Sequence, residues 1–244
     1  MVKDCYKVVI LSRGRWDTIT SHELFPYADL VVPTSEKEKY KHTGNKIVTI
    51  PDKIEGLGGV RNWVLENYDE ECIIMVDDDI KQLALVSGVQ HKMINDVEYI
   101  KQVLENTYIC AKDIGAKLFG FSQTKIDLRK YKPYKPFSLN SWVGGVVGVI
   151  GRKYKFINNK LKVDIDFYLQ NVLIDRIVFV DLRYSFIQHR YKNKGGNSLY
   201  RTEEQVKKEL EILKNKWGKY FSYSLTKTTE KTSVNVKRKQ TLYL

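Results

Sequence analysis

Five apolar residues, Cys72-Ile73-Ile74-Met75-Val76, run straight into three carboxylates, Asp77-Asp78-Asp79. A short, β-branched, unbroken apolar run reads as a strand buried on both faces, which belongs in a parallel sheet covered by helices. Charged side chains stay out of such an interior unless paired, so the strand must emerge into a cleft at Asp77. On an extended backbone, side chains at i and i+2 share a side. Asp77 and Asp79 therefore converge, and a hard divalent cation, Mn2+ or Mg2+, suits the pair. Asp78 faces the other way. The plain alternative is an acidic cap that is merely solvated, and a bare Asp-x-Asp does not decide between them.

The upstream segment favours the cation. Gly56, Gly58 and Gly59 open a helix running to about Tyr68, with Val60, Trp63, Val64 and Asn67 at helical spacing and Arg61-Asn62 in its first turn. Backbone amides at a glycine-rich helix start can approach an anion closely, and the helix dipole favours negative charge there. A glycine turn, an Arg-Asn pair and a buried strand ending in Asp-Asp-Asp together resemble the nucleotide-sugar-binding half of GT-A glycosyltransferases. The first strand agrees, since Tyr6-Lys7-Val8-Val9-Ile10-Leu11 ends in Ser12-Arg13-Gly14-Arg15. The likeness is good over residues 5–90 and looser to about residue 200. Within the superfamily the chain looks like the small bacteriophage and TET-associated glycosyltransferases, thought to place sugars on modified DNA bases.

That resemblance implies a nucleotide sugar, a UDP-sugar, as donor. Ser12, Arg13, Arg15, Arg61, Asn62, Asp77 and Asp78 are then expected around the nucleotide, with Asp77 and Asp79 on the metal. Two later segments complete the expected site. In Lys162-Val163-Asp164-Ile165-Asp166-Phe167 a carboxylate stands at a helix start, where inverting members keep the base for the acceptor hydroxyl. Asp166 is the first choice, because Phe-Tyr-Leu begins a helix directly after it, and Asp164 the second; both could equally be simple caps. His189, after the buried strand Tyr184-Ser185-Phe186-Ile187, is expected as a third metal ligand. Arg190 and Lys194, in the glycine loop that follows, are expected to neutralise the diphosphate.

The alternation of strands at 6–12, 30–32, 46–50 and 72–76 with helical segments near 16–25, 35–38 and 56–68 predicts an α/β fold. The expectation is a GT-A-like (Rossmann-like), mostly parallel sheet with helices on both faces and an irregular acceptor-side half. Ligands of such sheets bind beyond the carboxyl ends of the strands, where Ser12-Arg13 and Asp77–Asp79 stand. Farther on, Asp96 caps a helix over Val97–Ile114, Lys117–Phe121 is a strand, and the glycine-spaced Val143–Gly151 is a strand approached closely by another backbone or a sugar. Three stretches are expected: residues 1–90 binding the nucleotide sugar, residues 91–221 binding the acceptor, and 222–244 as a basic arm or hairpin.

Charge points to the acceptor. Forty-one Lys and Arg against 29 Asp and Glu leave +12 on 244 residues, which favours a polyanionic partner. Arg129, Lys130, Tyr131, Lys132, Tyr134 and Lys135 interleave cations with aromatics in a proline-stiffened loop, a mixture suited to a nucleic-acid backbone beside a stacking base. Arg152-Lys153-Tyr154-Lys155 and the tail around Lys231 and Lys237-Arg238-Lys239 add further cations, although lysine-rich surfaces also serve solubility alone. No apolar stretch of about 18 residues predicts a membrane span, and the N-terminus lacks a signal peptide's apolar core. Cys5, Cys72 and Cys110 read as reduced core residues, so a cytoplasmic protein is expected, in the host cytoplasm if phage-encoded.

The expected activity is metal-dependent transfer of a hexose to a hydroxymethyl pyrimidine in double-stranded DNA. The alternatives are a GT-A enzyme acting on a protein, lipid or polysaccharide, and a nucleotidyltransferase, which would release pyrophosphate rather than nucleoside diphosphate.

Overall fold

In the computed structural model the described residues are 6–86, 91–123, 132, 134–188, 201–226 and 230–236. The Cys72–Val76 run forms a strand that ends at Asp77, as its composition demands. The elements in chain order are β1 (Tyr6–Leu11), α1 (Ser21–Leu24), β2 (Asp29–Pro33), β3 (Lys46–Ile50), α2 (Gly56–Asn67), β4 (Cys72–Asp77), β5 (Ile80–Leu85) and β6 (Lys92–Ile94). Then come α3 (Val97–Asp113), β7 (Leu118–Phe121), β8 (Phe137–Ser138), β9 (Val146–Ile150), α4 (Val163–Gln170), β10 (Phe179–Asp181) and β11 (Tyr184–Gln188). The chain closes with α5 (Glu203–Trp217), β12 (Phe221–Leu225) and β13 (Glu230–Val234).

The central sheet has the order β3-β2-β1-β4-β9-β7-β10-β8. Its first four strands are mutually parallel, as the alternation predicts. β9 then enters antiparallel to both β4 and β7, which the alternation did not foresee. The period-2 pattern divides β1 and β4 between two cores. Val8, Ile10, Ile74 and Val76 pack with α3 on one face. Val9, Leu11, Ile73 and Met75 pack with α2, α4 and α5 on the other. A small second sheet, β11-β5-β6, is antiparallel throughout.

Several local expectations change. The segment near 16–25 is helical only over Ser21–Leu24. The helical segment expected near 35–38 is a 3₁₀ helix over Thr34–Thr43, preceded by Pro33 and with no side-chain cap. Asp96 does cap α3, its carboxylate accepting from the Tyr99 amide at 2.7 Å. Cys72 is buried, but Cys110 lies on the exposed face of α3 rather than in the core; Cys5 lies outside the described residues. At Gly148 the close neighbour is internal: a Cβ there would stand 2.1 Å from the Phe119 ring. No helix among the described residues is long and apolar enough to cross a membrane.

Candidate active site

A cleft of about 810 Å³ opens where β1 and β4 end. Its floor is the acidic turn. Asp77 Oδ2 and Asp79 Oδ1 aim at one point, both accepting from the Gln188 side-chain amide, at 2.8 and 3.2 Å. Two hard oxygens from i and i+2 converging on one donor is an arrangement that a divalent cation can take over. Among the described residues no three His, Cys, Asp or Glu side chains form a ready-made metal cage. Asp78 is turned away from that point and 5% exposed. It accepts from Ser12 Oγ and the Arg15 guanidinium, both at 2.7 Å, which ties the ends of β1 and β4 together. Burial pushes its carboxyl upward, against the pull of Arg15.

Arg61 is the largest side chain buried to this degree, 2% exposed. One Nη donates to Asp77 at 3.5 Å, and the guanidinium lies 5.2 Å from the Phe156 ring. Its Nε and other Nη are buried and make no hydrogen bond among the described residues. A buried guanidinium with two donor nitrogens to spare at a cleft wall can receive an anionic ligand.

Asp164 lines the same cleft. It sits in the first turn of α4, after Lys162, which takes a left-handed conformation at φ 56°. Protein surrounds its carboxyl densely, and that desolvation pushes it upward, opposed first by Arg61 and then by Lys162. Asp166 is elsewhere. Because α4 starts at Val163, Asp166 is the fourth helical residue rather than the cap, and two residues along a helix turn its side chain about 200° away from that of Asp164. It is fully buried and held by Trp217 Nε1 at 2.8 Å, Lys216 Nζ at 2.7 Å and Gln170 Nε2 at 2.7 Å. Its carboxylate is bonded inside the protein and does not face the cleft, contrary to the expectation for Asp166, whereas Asp164, the second choice, lines the cleft.

Other expected residues divide in the same way. Ser12, Arg13 and Arg15 line the cleft, Arg13 being braced on the Ile54 carbonyl at 2.7 Å. Asn62 does not. Its amide clamps the backbone of Phe156, donating to its carbonyl and accepting from its amide, each at 2.8 Å. The start of α2 is likewise packed on protein. A Cβ at Gly58 would stand 2.0 Å from the Ile157 carbonyl oxygen, and the Gly58 amide donates to Asn159. The close approach expected of a ligand is made there by the chain's own backbone. Arg152 closes α2 by donating to the Leu65, Tyr68 and Glu70 carbonyls, and Lys153 and Lys155 pair with Asp175 and Glu66. That basic cluster is structural. His189, Arg190, Lys194, Arg129, Lys130 and Tyr131 lie outside the described residues.

Reasoning from the sequence missed Gln188, Trp142 and the β13 residues Thr232 and Val234, all on the cleft wall. Gln188 is the last residue of β11, and the slip in its pairing with β5 that decides where it points has no mark in the sequence. Nothing local marks β13.

Among solved structures, the chain is similar to Staphylococcus aureus TarS residues 1–349 in complex with UDP-GlcNAc, at 12% identity and a TM-score of 0.50. That match covers 86% of this chain and 66% of the other, so the chain spans a little under two thirds of that protein. Glucosyl-3-phosphoglycerate synthase from Mycobacterium tuberculosis, solved with Mn2+, UDP and phosphoglyceric acid, is similar at 12% identity and a TM-score of 0.47, over 94% of this chain and 86% of that one. No curated protein matches. At these identities the likeness is one of fold, the mixed α/β fold with a large central sheet that GT-A glycosyltransferases share. The family model described as TET-Associated Glycosyltransferase matches residues 6–196, and with its carboxylate pair and anion-ready arginine on one cleft the chain belongs to that glycosyltransferase family.

Proposed function

We propose that this chain transfers a hexose from a UDP-sugar to the hydroxyl of a hydroxymethyl pyrimidine in double-stranded DNA, as a phage-encoded enzyme acting in the host cytoplasm. The observation that carries the transfer chemistry is the meeting of Asp77, Asp79, Arg61 and Asp164 around one cleft. Asp77 and Asp79 would hold Mn2+ or Mg2+, which neutralises charge developing on a departing diphosphate. The two free donors of Arg61 suit the same diphosphate. Asp164 takes the proton of the acceptor hydroxyl as its oxygen bonds to the sugar's anomeric carbon. The bond from that carbon to the diphosphate breaks, and UDP leaves with the electron pair. Attack of the acceptor oxygen on the face opposite the departing diphosphate, in one displacement, makes the reaction inverting.

The DNA acceptor is supported by charge and by a surface on the same end of the sheet. Arg183 lies over the rings of Phe137 and Tyr184, at 4.9 and 5.3 Å. Tyr134 is 81% exposed, and Lys132 and Lys135 are exposed beside it. Phe137 is four strands from β4 in the sheet order, about 19 Å at the usual strand spacing. A strand held there reaches the cleft within about six nucleotides, so a flipped base can enter it. The test is a donor screen with Mn2+ on hydroxymethylated and unmodified duplexes, read by nucleoside mass spectrometry. A hexose mass added only to the hydroxymethylated base is expected; UDP-sugar turnover with no nucleoside product rejects DNA as acceptor.

A further inference from the structure

The Gln188 amide occupies the point at which Asp77 and Asp79 converge, and three features show that it is placed there by the fold. First, the pairing of β11 with β5 slips between Ile187 and Gln188. Such a bulge re-aims the side chain that follows it, here toward the acidic turn. Second, the amide is seated on Gly145: a Cβ there would stand 3.0 Å from Gln188 Cδ and Nε2. Gly145 also has φ 74°, which favours glycine, and its carbonyl accepts from the Asp77 amide at 2.8 Å. The backbone that positions Asp77 therefore also seats the amide. Third, the amide touches both carboxylates of the pair.

Two facing carboxylates attract a donor, so Nε2 is the end they select. With a cation between them the demand reverses, and a hard oxygen is wanted. A half-turn of the terminal amide exchanges Nε2 for Oε1 without moving the backbone. Among the described residues no third carboxylate, imidazole or thiolate joins the pair.

We infer that Gln188 is a ligand of the divalent cation, its side-chain carbonyl joining Asp77 and Asp79, and that its amide is the internal donor holding the pair together until the cation arrives. The inference rests on the reading of Asp77 and Asp79 as metal ligands, and its test separates the two.

The experiment is a titration of the full chain with Mn2+, with and without UDP, followed by electron paramagnetic resonance of the free ion. Wild type is expected to bind, and Asp77→Asn to lose most of that affinity. Gln188→Ala should weaken binding by about tenfold, whereas Gln188→Glu, which keeps an oxygen and adds charge, should bind at least as tightly as wild type. Circular dichroism checks that each variant is folded. If Gln188→Ala binds Mn2+ as well as or better than wild type, the amide is only a donor that the cation displaces, and the inference falls while the metal site stands. Weaker binding by Gln188→Glu also overturns it. If Asp77→Asn leaves Mn2+ binding unchanged, the carboxylate reading itself has failed.

Discussion

The two walls of the cleft are made in different ways. The first wall, β1, α2 and β4, comes from one stretch, residues 6–79, and its carboxylates stand at the end of β4 and in the turn that follows it. The second wall is collected from Gly144, Asp164, Gln188 and β13 and is held by contacts between distant segments. Glu209 of α5, 1% exposed, accepts from the Lys160 and Leu161 amides at 3.0 and 2.7 Å. Asp166 joins α4 to Trp217 and Lys216, and Lys162 and Arg201 pair with Glu230 of β13, which forms an antiparallel hairpin with β12. On the first wall Asp77 and Asp79 face the cleft, so changing them is expected to disturb the fold little, whereas on the second Asp164 is mixed with residues that build the wall.

The sharpest way to break this contrast is at the acidic turn. Asp77→Asn and Asp79→Asn should each reduce transfer to background while the thermal transition stays near wild type, because both side chains face the cleft. Asp78→Asn should instead lower the melting temperature, since it loosens the Ser12 and Arg15 ties between β1 and β4. Calorimetry and a UDP-release assay on the three variants measure both effects. Equal loss of stability in all three would erase the distinction.

Asp164 and Asp166 test the second wall directly. Asp164→Asn should lower transfer by roughly 10²–10⁴-fold with UDP affinity kept, the usual worth of a general base. The acid limb of the rate should lie above the ordinary carboxylate range, because burial raises Asp164 and the base works only when deprotonated. Removing the cation that opposes this shift, as in Arg61→Met, should move the limb to still higher pH in whatever turnover remains. Asp166→Asn should leave the limb in place and cost about 1–2 kcal/mol of stability, modest because Lys216 is part-exposed. A limb that moves with Asp166 but not with Asp164 reverses the assignment.

This division also explains what was legible in the sequence. The buried run ending at Asp77, the Arg61 helix and the cap at Asp96 follow from short-range rules of period, burial and capping, and the structure has them. The phase of α4 depended on starting it at Val163 rather than after Asp166. A left-handed Lys162 and the Glu209 bonds set that start, and neither is local. Asn62 looked like a ligand residue because it adjoins Arg61, but its partner, Phe156, is 94 positions away. Gln188 escaped notice because a bulge, invisible to the alternation rule, decides where it points.

Asn62→Ala gives a smaller effect of the same kind. Losing both bonds to Phe156 should destabilise the chain by about 1–3 kcal/mol, with UDP affinity unchanged well below the transition. A selective loss of UDP affinity would return Asn62 to the nucleotide pocket.

The gentlest effect is expected farthest from the chemistry, at the surface around Phe137. Lys132, Lys135 and Arg183 are part-exposed or exposed, and Arg183 is already paired with Asp181 at 2.7 Å, so it should contribute more by stacking than by charge. Replacing the two lysines with Ala should weaken duplex binding and reduce the slope of log affinity against log salt by about 0.9 for each phosphate no longer neutralised. Arg183→Ala should weaken binding with a smaller change in slope, since a stacked cation acts partly through the ring beside it. Slow hydrolysis of the UDP-sugar should continue in all of these variants, because none of the three residues lines the cleft. Fluorescence anisotropy over a series of salt concentrations reads the slope, and UDP release reads the hydrolysis. An unchanged slope in the double lysine variant would place the nucleic acid elsewhere and leave the contrast between the two walls standing.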